Sequence, residues 1–418
     1  ADLFWNGNLE GVSPRATRVF AGIASNPDST VSEVPGTWYH TLSLCDFNRD
    51  NEVDVVAPVD NYAQSGIYVG MKAGDELMAT GKLSDLHDRL IPADLDNDGQ
   101  QELIVCGNGL KILDKGLHGQ WTKTQTLGTG KYHYTVVSQD YDEDNDFDLI
   151  SFYKTDDGTY GGSVYLNQAG SFTEVAFTVP YRVMDAVQSD YDNDGDQDIL
   201  AIAYVDNYQY QANLLAKTDT GFEPVTSIAS GKTAAWTDYD LDGDQDIILP
   251  GVMTDSYYIF ETRVMINQGN GVFENSLINN LLDGQNGKVA AGDFDGDGDQ
   301  DLALSSDNYS YQRHLHLYKN QVTELTMAVN QPPGVPGGLI SELNFNEVTL
   351  QWNPADDQET PAAGLTYNLV VRRDQEVYTV SPLSHLENGH RKVYGPGNML
   401  HITAYRLKCL ADGQYAWS

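Results

Sequence analysis

Short apolar runs alternate with acidic, glycine-rich breaks along most of the chain. The runs that follow the breaks read DVVAPV, ELIVCG, DLISFY, DILAIAYV, DIILPGV and DLALSS, and runs such as TLSL, VVSQ and AVQS precede them. Their shortness, their β-branched content and the turn residues at both ends predict strands rather than helices. Within one period, VMDAVQSDY, DILAIAYV, ANLLAKT and GFEPVTSIA read as four successive strands. Four short strands repeated every 40–50 residues predict an all-β fold built of propeller blades.

The breaks share one nine-residue pattern. It appears as DFNRDNEVD at 46–54, DLDNDGQQE at 94–102, DYDEDNDFD at 140–148, DYDNDGDQD at 190–198, DYDLDGDQD at 238–246 and DFDGDGDQD at 293–301. Oxygen-bearing side chains stand at positions one, three, five and nine: Asp46, Asn48, Asp50 and Asp54; Asp94, Asp96, Asp98 and Glu102; Asp140, Asp142, Asp144 and Asp148; Asp190, Asp192, Asp194 and Asp198; Asp238, Asp240, Asp242 and Asp246; Asp293, Asp295, Asp297 and Asp301. Converging carboxylates repel one another unless a cation neutralises them. A hard ion taking six to eight oxygens suits this set, which points to about six calcium ions, or seven if a further loop precedes the chain. Gly or Asn at position six lets the loop turn through positive φ.

An EF-hand opens in the same way but needs a bidentate Glu at position twelve and flanking helices. Position twelve here is Ala57, Val105, Ser151, Ala201, Leu249 or Leu304, and the flanks are strand-like. The EF-hand is excluded.

The D-x-D-x-D-G-x-x-D loops, the D-[IL]-x-[ILV] strands after them and later strands such as VYLNQAGSF and VMINQGNGVF resemble FG-GAP/VCBS repeats over roughly residues 1–330. Those repeats occur in secreted bacterial proteins and, as a relative, in the integrin α-subunit head. The resemblance implies a propeller with calcium between the first and second strands of each blade. The first loop departs most, through Asn48, Arg49 and Glu52. Seven blades are expected if ADLFW is a second strand with Asp2 as position nine of an earlier loop. If LFWNGNLEGV is instead a third strand, six blades and a partial one follow.

QPPGVPGG at 331–338 reads as a Pro/Gly linker. Beyond it the acidic loops cease. VTLQW at 348–352, TYNLVV at 366–371 and the Leu-x-x-Gly-x-Tyr spacing in YRLKCLADGQYAW at 405–417 resemble a fibronectin type III β-sandwich over 339–418. That form would continue past Ser418, so the chain is expected to be part of a longer, multidomain protein.

Charge refines this picture. The 418 residues carry 61 Asp and Glu against 24 Lys and Arg, a net charge of −37, and nearly half of the acids lie in the six loops. Nucleic acid is excluded as a main partner for want of a basic footprint. No apolar run is long enough for a spanning helix, so direct membrane insertion is not expected. The first residues lack a signal-peptide pattern. Three cysteines, Cys45, Cys106 and Cys409, give no disulfide framework and read as small buried residues.

On the face opposite the acidic loops, the turns joining second and third strands gather Tyr62, Tyr160, Tyr208, Tyr210, Tyr257, Tyr258, Tyr309 and Tyr311. Tyrosines beside amides suit sugar rings or a protein surface, and they equally suit packing between blades. Just before the first strand of each blade stand His40, Arg89 with His87, Lys131 with His133, Arg182, Lys232 and Lys288. A ring of such cations would hold an anionic ligand such as a uronate, unless each pairs with a nearby carboxylate. No nucleophile elbow, zinc-protease or P-loop motif occurs. The leading expectation is a secreted or cell-surface, calcium-stabilised binding or adhesion module for a glycan or protein. The alternatives are a lyase acting on acidic polysaccharide, with His133 and its tyrosines abstracting a proton, and a purely structural part of a surface assembly.

Overall fold

The computed structural model describes residues 3–6, 16–20, 30–35, 43–51, 53–61, 64–70, 76–78, 89–115, 121–206, 209–254, 259–269, 271–276, 281, 284–292, 299–307, 313–321, 331, 333–358, 360–374, 377–384, 386, 397–408 and 412–418. Nearly every regular element among them is a strand, and no helix is long and apolar enough to cross a membrane.

The first sheet joins β1 (Leu3–Asn6), β2 (Ala16–Phe20) and β3 (Thr30–Pro35). The second contains β4 (Ser43–Cys45), β5 (Asp54–Asn61), β6 (Gln64–Gly70) and β7 (Glu76–Met78). Next come β8 (Leu90–Ala93), β9 (Glu102–Val105), β10 (Asn108–Lys115) and β11 (Trp121–Gln139), continuing through β12 (Asp148–Thr155), β13 (Tyr160–Gln168) and β14 (Ser171–Phe177). The fourth contains β15 (Arg182–Ser189), β16 (Asp198–Asp206), β17 (Gln209–Thr218) and β18 (Gly221–Ser230). β19 (Ala235–Thr237), β20 (Asp246–Met253), β21 (Phe260–Asn267) and β22 (Phe273–Asn275) form the fifth, and β23 (Gln285–Gly292), β24 (Asp301–Asp307) and β25 (Arg313–Tyr318) the sixth. Strands within each sheet run antiparallel in chain order.

The seven-stranded sheet is two four-stranded units sharing β11. Its first half, Trp121–Leu127, pairs with β10, and its second half, Lys131–Gln139, pairs with β12. Between the halves, Gly128 at φ 59° and Gly130 at φ 82° bend the strand from one unit into the next.

The apolar cores lie between consecutive units, where sheet faces stack. Phe152 and Val164 of one unit meet Val183, Ile199 and Leu215 of the next. Leu200 and Ile202 of that unit meet Trp236, Ile247 and Leu249 of the following one. Central strands such as β12 and β16 are therefore buried on both faces over six consecutive residues. Sheets each sandwiched between neighbours in chain order form a propeller-like repeat. Burying one such Leu or Ile side chain contributes about 2 kcal/mol. Cys45 and Cys106 lie buried in these cores, as expected of small apolar residues, and Cys409 lies outside the described residues.

A polar knot joins the units where first strands approach one another. The Arg89 guanidinium pairs with Asp185 and donates to the Ala186 carbonyl at 3.0 Å and to Thr135 Oγ1 at 3.2 Å. Thr233 Oγ1 donates to the other Asp185 oxygen at 3.1 Å. Residues far apart in sequence, from four successive units, thus meet around the Arg89–Asp185 pair.

After the proline-rich segment, β26 (Ile340–Asn344), β27 (Glu347–Gln351) and β30 (Ala404–Leu407) form one sheet. A second joins β28 (Val371–Arg373), β29 (Val377–Val380) and β31 (Tyr415–Trp417). Their common core contains Trp352, Tyr367, Leu369, Tyr405 and Leu407, with the Trp352 and Tyr367 rings edge to face at 5.9 Å.

Candidate metal centres

All six acidic segments fall between the first and second strand of a unit, as the pattern of runs and breaks predicted. The first five are described, the first of them without Glu52; of the sixth, Asp293, Asp295 and Asp297 lie outside the described residues, whereas Asp301 is buried on β24. The five loops fold alike. The position-one carboxylate accepts the amides of positions five and six: Asp94 from Asp98 at 3.2 Å and Gly99 at 2.9 Å, Asp140 from Asp144 and Asn145, Asp190 from Asp194 and Gly195. Position six has positive φ throughout, at Asn51 (57°), Gly99 (80°), Asn145 (70°), Gly195 (100°) and Gly243 (91°).

Position four is also left-handed, at Arg49, Asn97, Glu143, Asn193 and Leu241. For Arg, Glu and Leu this is a strained conformation costing on the order of 1 kcal/mol, and the sequence gives little sign of it. The Asp at position one imposes it by capturing two successive amides beyond the bend. Where position four is Asn, its side chain ties one loop to the next: Asn97 donates to Asp146 at 2.6 Å and Asn193 to Asp244 at 2.8 Å.

Position nine carries a second duty. One Asp148 oxygen accepts the Tyr141 amide at 2.8 Å and the other the Asn167 amide at 2.6 Å, pinning the loop to the third strand. Asp246 repeats this with Tyr239 and Asn267. The Asn at or just past the end of that third strand then reaches the preceding unit: Asn167 donates to the Leu95 carbonyl, Asn267 to Tyr191 and Asn320 to Tyr239, at 2.6–2.9 Å. The recurrent Asn-Gln at these positions was the available signal.

Carboxylate oxygens of Asp94, Asp96 and Glu102, of Asp140, Asp142 and Asp148, of Asp190, Asp192 and Asp194, and of Asp238, Asp240 and Asp246 lie within 4.8 Å of one another. In the first loop the amide of Asn48 takes position three and donates to Asp50 at 2.9 Å. Buried oxygens without a hydrogen-bond donor remain at Asp54 Oδ1, Asp198 Oδ2 and Asp240 Oδ1. Such acceptors call for a cationic or donor partner.

Burial, reinforced by mutual repulsion, raises the loop carboxyls. Asp94, Asp140, Asp190 and Asp238 at position one are pushed up to about 7. At position nine Asp54, Asp148 and Asp246 reach about 7, Asp198 about 8 and Glu102 about 9. These donor sets fit a divalent cation.

The expected cation ring is rearranged. Arg89 is committed to Asp185, and Lys131 pairs with Glu174 and sits 4.1 Å over the Tyr153 ring. Arg182 stacks 4.5 Å over Tyr134. His133 is fully buried rather than at a rim. Ser151 donates to the Thr135 carbonyl and therefore accepts from His133 Nδ1 at 2.8 Å, and burial lowers the imidazole to about 4. Arg89 thus ties units together through a carboxylate, and His133 is tied within its own unit through the Ser151 hydroxyl of the neighbouring strand. Lys232 and Lys288 are exposed; His40 and His87 lie outside the described residues.

Among the tyrosines, Tyr160 and Tyr210 are half-buried at the turns between second and third strands. Lys154 lies 5.7 Å over the Tyr160 ring, and Tyr210 meets Tyr204 edge to face and has Lys232 at 5.9 Å. Tyr62, Tyr208, Tyr257, Tyr258, Tyr309 and Tyr311 lie outside the described residues.

A family model described as FG-GAP-like repeat matches residues 238–304, the span from the fifth acidic loop into β24. No curated protein sequence matches the chain. A protein from Lactobacillus plantarum of known structure is similar at TM-score 0.46 and 10% identity, over 76% of this chain and 95% of that one. A putative 6-phosphogluconolactonase from Bacteroides fragilis is similar at TM-score 0.44 and 10% identity, over 76% and 93%. The Photorhabdus luminescens Tc holotoxin pore is similar at TM-score 0.36 and 13% identity, over 80% of this chain and 17% of that one.

Proposed function

We propose that this chain is a calcium-stabilised binding or adhesion module that works outside the cell. The observation that carries the reading is the fourfold recurrence of three carboxylates within 4.8 Å inside one repeated hydrogen-bonded loop. A single acidic cluster has many explanations; the same cluster at the same place in successive units is a built feature. Asp94, Asp96 and Glu102, and their counterparts in the other loops, would hold the ion. An oxygen-only set with more than four candidate donors favours calcium over magnesium, which keeps more of its water. When bound, calcium supplies charge neutralisation, not reaction chemistry. Extracellular millimolar calcium would fill sites of this kind.

The six units with acidic loops, two of them joined in the seven-stranded sheet, together with β1–β3 correspond to a seven-bladed propeller in this reading, and the paired C-terminal sheets to a fibronectin type III-like domain. The ligand face is the rim opposite the loops. It carries Tyr160 and Tyr210, beside Val205 at 56% and Ile259 at 50% exposure. Exposed apolar side chains grouped with tyrosine suit a glycan or protein surface. A glycan array and a partner pull-down with the wild type and the Tyr160→Ala, Tyr210→Ala double variant test this. Loss of binding in the variant supports the rim; a ligand captured equally by both moves the site elsewhere.

A further inference from the structure

Four of the acidic loops are touched by the chain's own C-terminal part. Tyr405, fully buried in the core of the paired sheets, directs its hydroxyl out of that core to Asp94 Oδ2, at position one of the second loop. The Lys408 amide donates to the Asn97 carbonyl at 2.6 Å, and its ammonium lies 3.4 Å from Asp146 of the third loop. Ser381 donates to Asn51 Oδ1 in the first loop at 3.1 Å. His401 meets Gln197 in the fourth. One unit with its own core therefore touches four successive acidic loops, and it mostly offers donors to their acceptors.

The fit depends on the shape of the loops. At Gly99 a Cβ would collide with the Thr379 carbonyl and stand 2.7 Å from Thr379 Cγ2, so only a bare backbone passes. The loops keep that shape through carboxylates at position one, which are also the groups left mutually repulsive without a cation. We propose that this face is a docking platform for the C-terminal unit whose closure depends on divalent cations in the loops: filled loops hold the unit down, and emptied loops release it. This rests on the calcium reading above.

The test uses the full chain, calcium chloride and a chelator, with small-angle scattering for shape and equilibrium dialysis for bound calcium. The docked chain should have a radius of gyration of about 22 Å. Chelation should raise it by roughly a tenth and expose the 331–338 segment to protease. Gly99→Asn separates the causes. Asn holds the same position at positive φ in the first and third loops, so the loop tolerates it while Thr379 does not. The variant should bind calcium in the wild-type amount and scatter as the expanded form even in calcium. Tyr405→Phe, which keeps the core ring, should release the unit at a higher calcium concentration than the wild type does. Calcium bound with no change of scattering on chelation overturns the coupling and leaves the metal reading intact. No calcium bound at all overturns the metal reading and the coupling together, whereas an expanded Gly99→Asn would still report the docked surface.

Discussion

Adding calcium to the metal-stripped protein at pH 7 should expel protons. Asp54, Asp94, Asp140, Asp148, Asp190, Asp238 and Asp246 are raised by burial to about 7, Asp198 to about 8 and Glu102 to about 9. At pH 7 the first seven each retain about half a proton and the last two nearly a whole one. A cation binds only the ionised forms, so saturation should release on the order of five protons per chain. At pH 9 the release should fall below about one, because all but Glu102 are then ionised. Calorimetric titration in two buffers of equal pH and different ionisation enthalpy reads the number directly. Stability follows the same linkage. These carboxyls have native values above their ordinary ones near 4, so without metal their contribution is complete below about pH 4 and is lost as pH rises through about 7. The metal-free melting temperature should therefore fall between pH 5 and 8, and excess calcium should abolish that fall. Calcium binding at pH 7 without proton release, or a metal-free melt that rises over this range, would refute the reasoning.

Arg89→Met strands Asp185 among groups from four units and should cost about 3 kcal/mol in denaturant unfolding; adding Asp185→Leu should recover part of the loss, and a neutral single variant would show the pair to be dispensable. Gly128→Ala places a methyl group against the Tyr165 hydroxyl and His133 at φ 59° and should cost about 2 kcal/mol or more by the same measurement. Asn267→Ala removes donors to the Tyr191 and Gln245 carbonyls, at 2.8 and 3.2 Å, and should destabilise by about 2 kcal/mol without altering calcium stoichiometry by dialysis.

The loops were readable because the same polar offsets recur six times and because strand-like runs flank them. Their strained position four was not: Leu241 and Glu143 give no local reason for positive φ, which arises from two amides captured by an Asp three residues earlier. The shared strand β11 was hidden because a four-strand period does not show whether one strand stops before the next begins. Arg89 and His133 could be read either as rim groups or as paired ones, and the choice was not legible because their partners, Asp185 and Ser151, stand 96 and 18 residues away. The contact with the acidic loops rests on Tyr405, Lys408 and Ser381, ordinary residues in a segment whose own pattern describes only its strands.

Calcium bound per chain, counted by equilibrium dialysis on metal-stripped protein at pH 7.5, bears most directly on the reading of the acidic loops. The four carboxylate clusters predict at least four ions, with a melting temperature that climbs as they fill. One ion or none, with a melt indifferent to calcium, would contradict it.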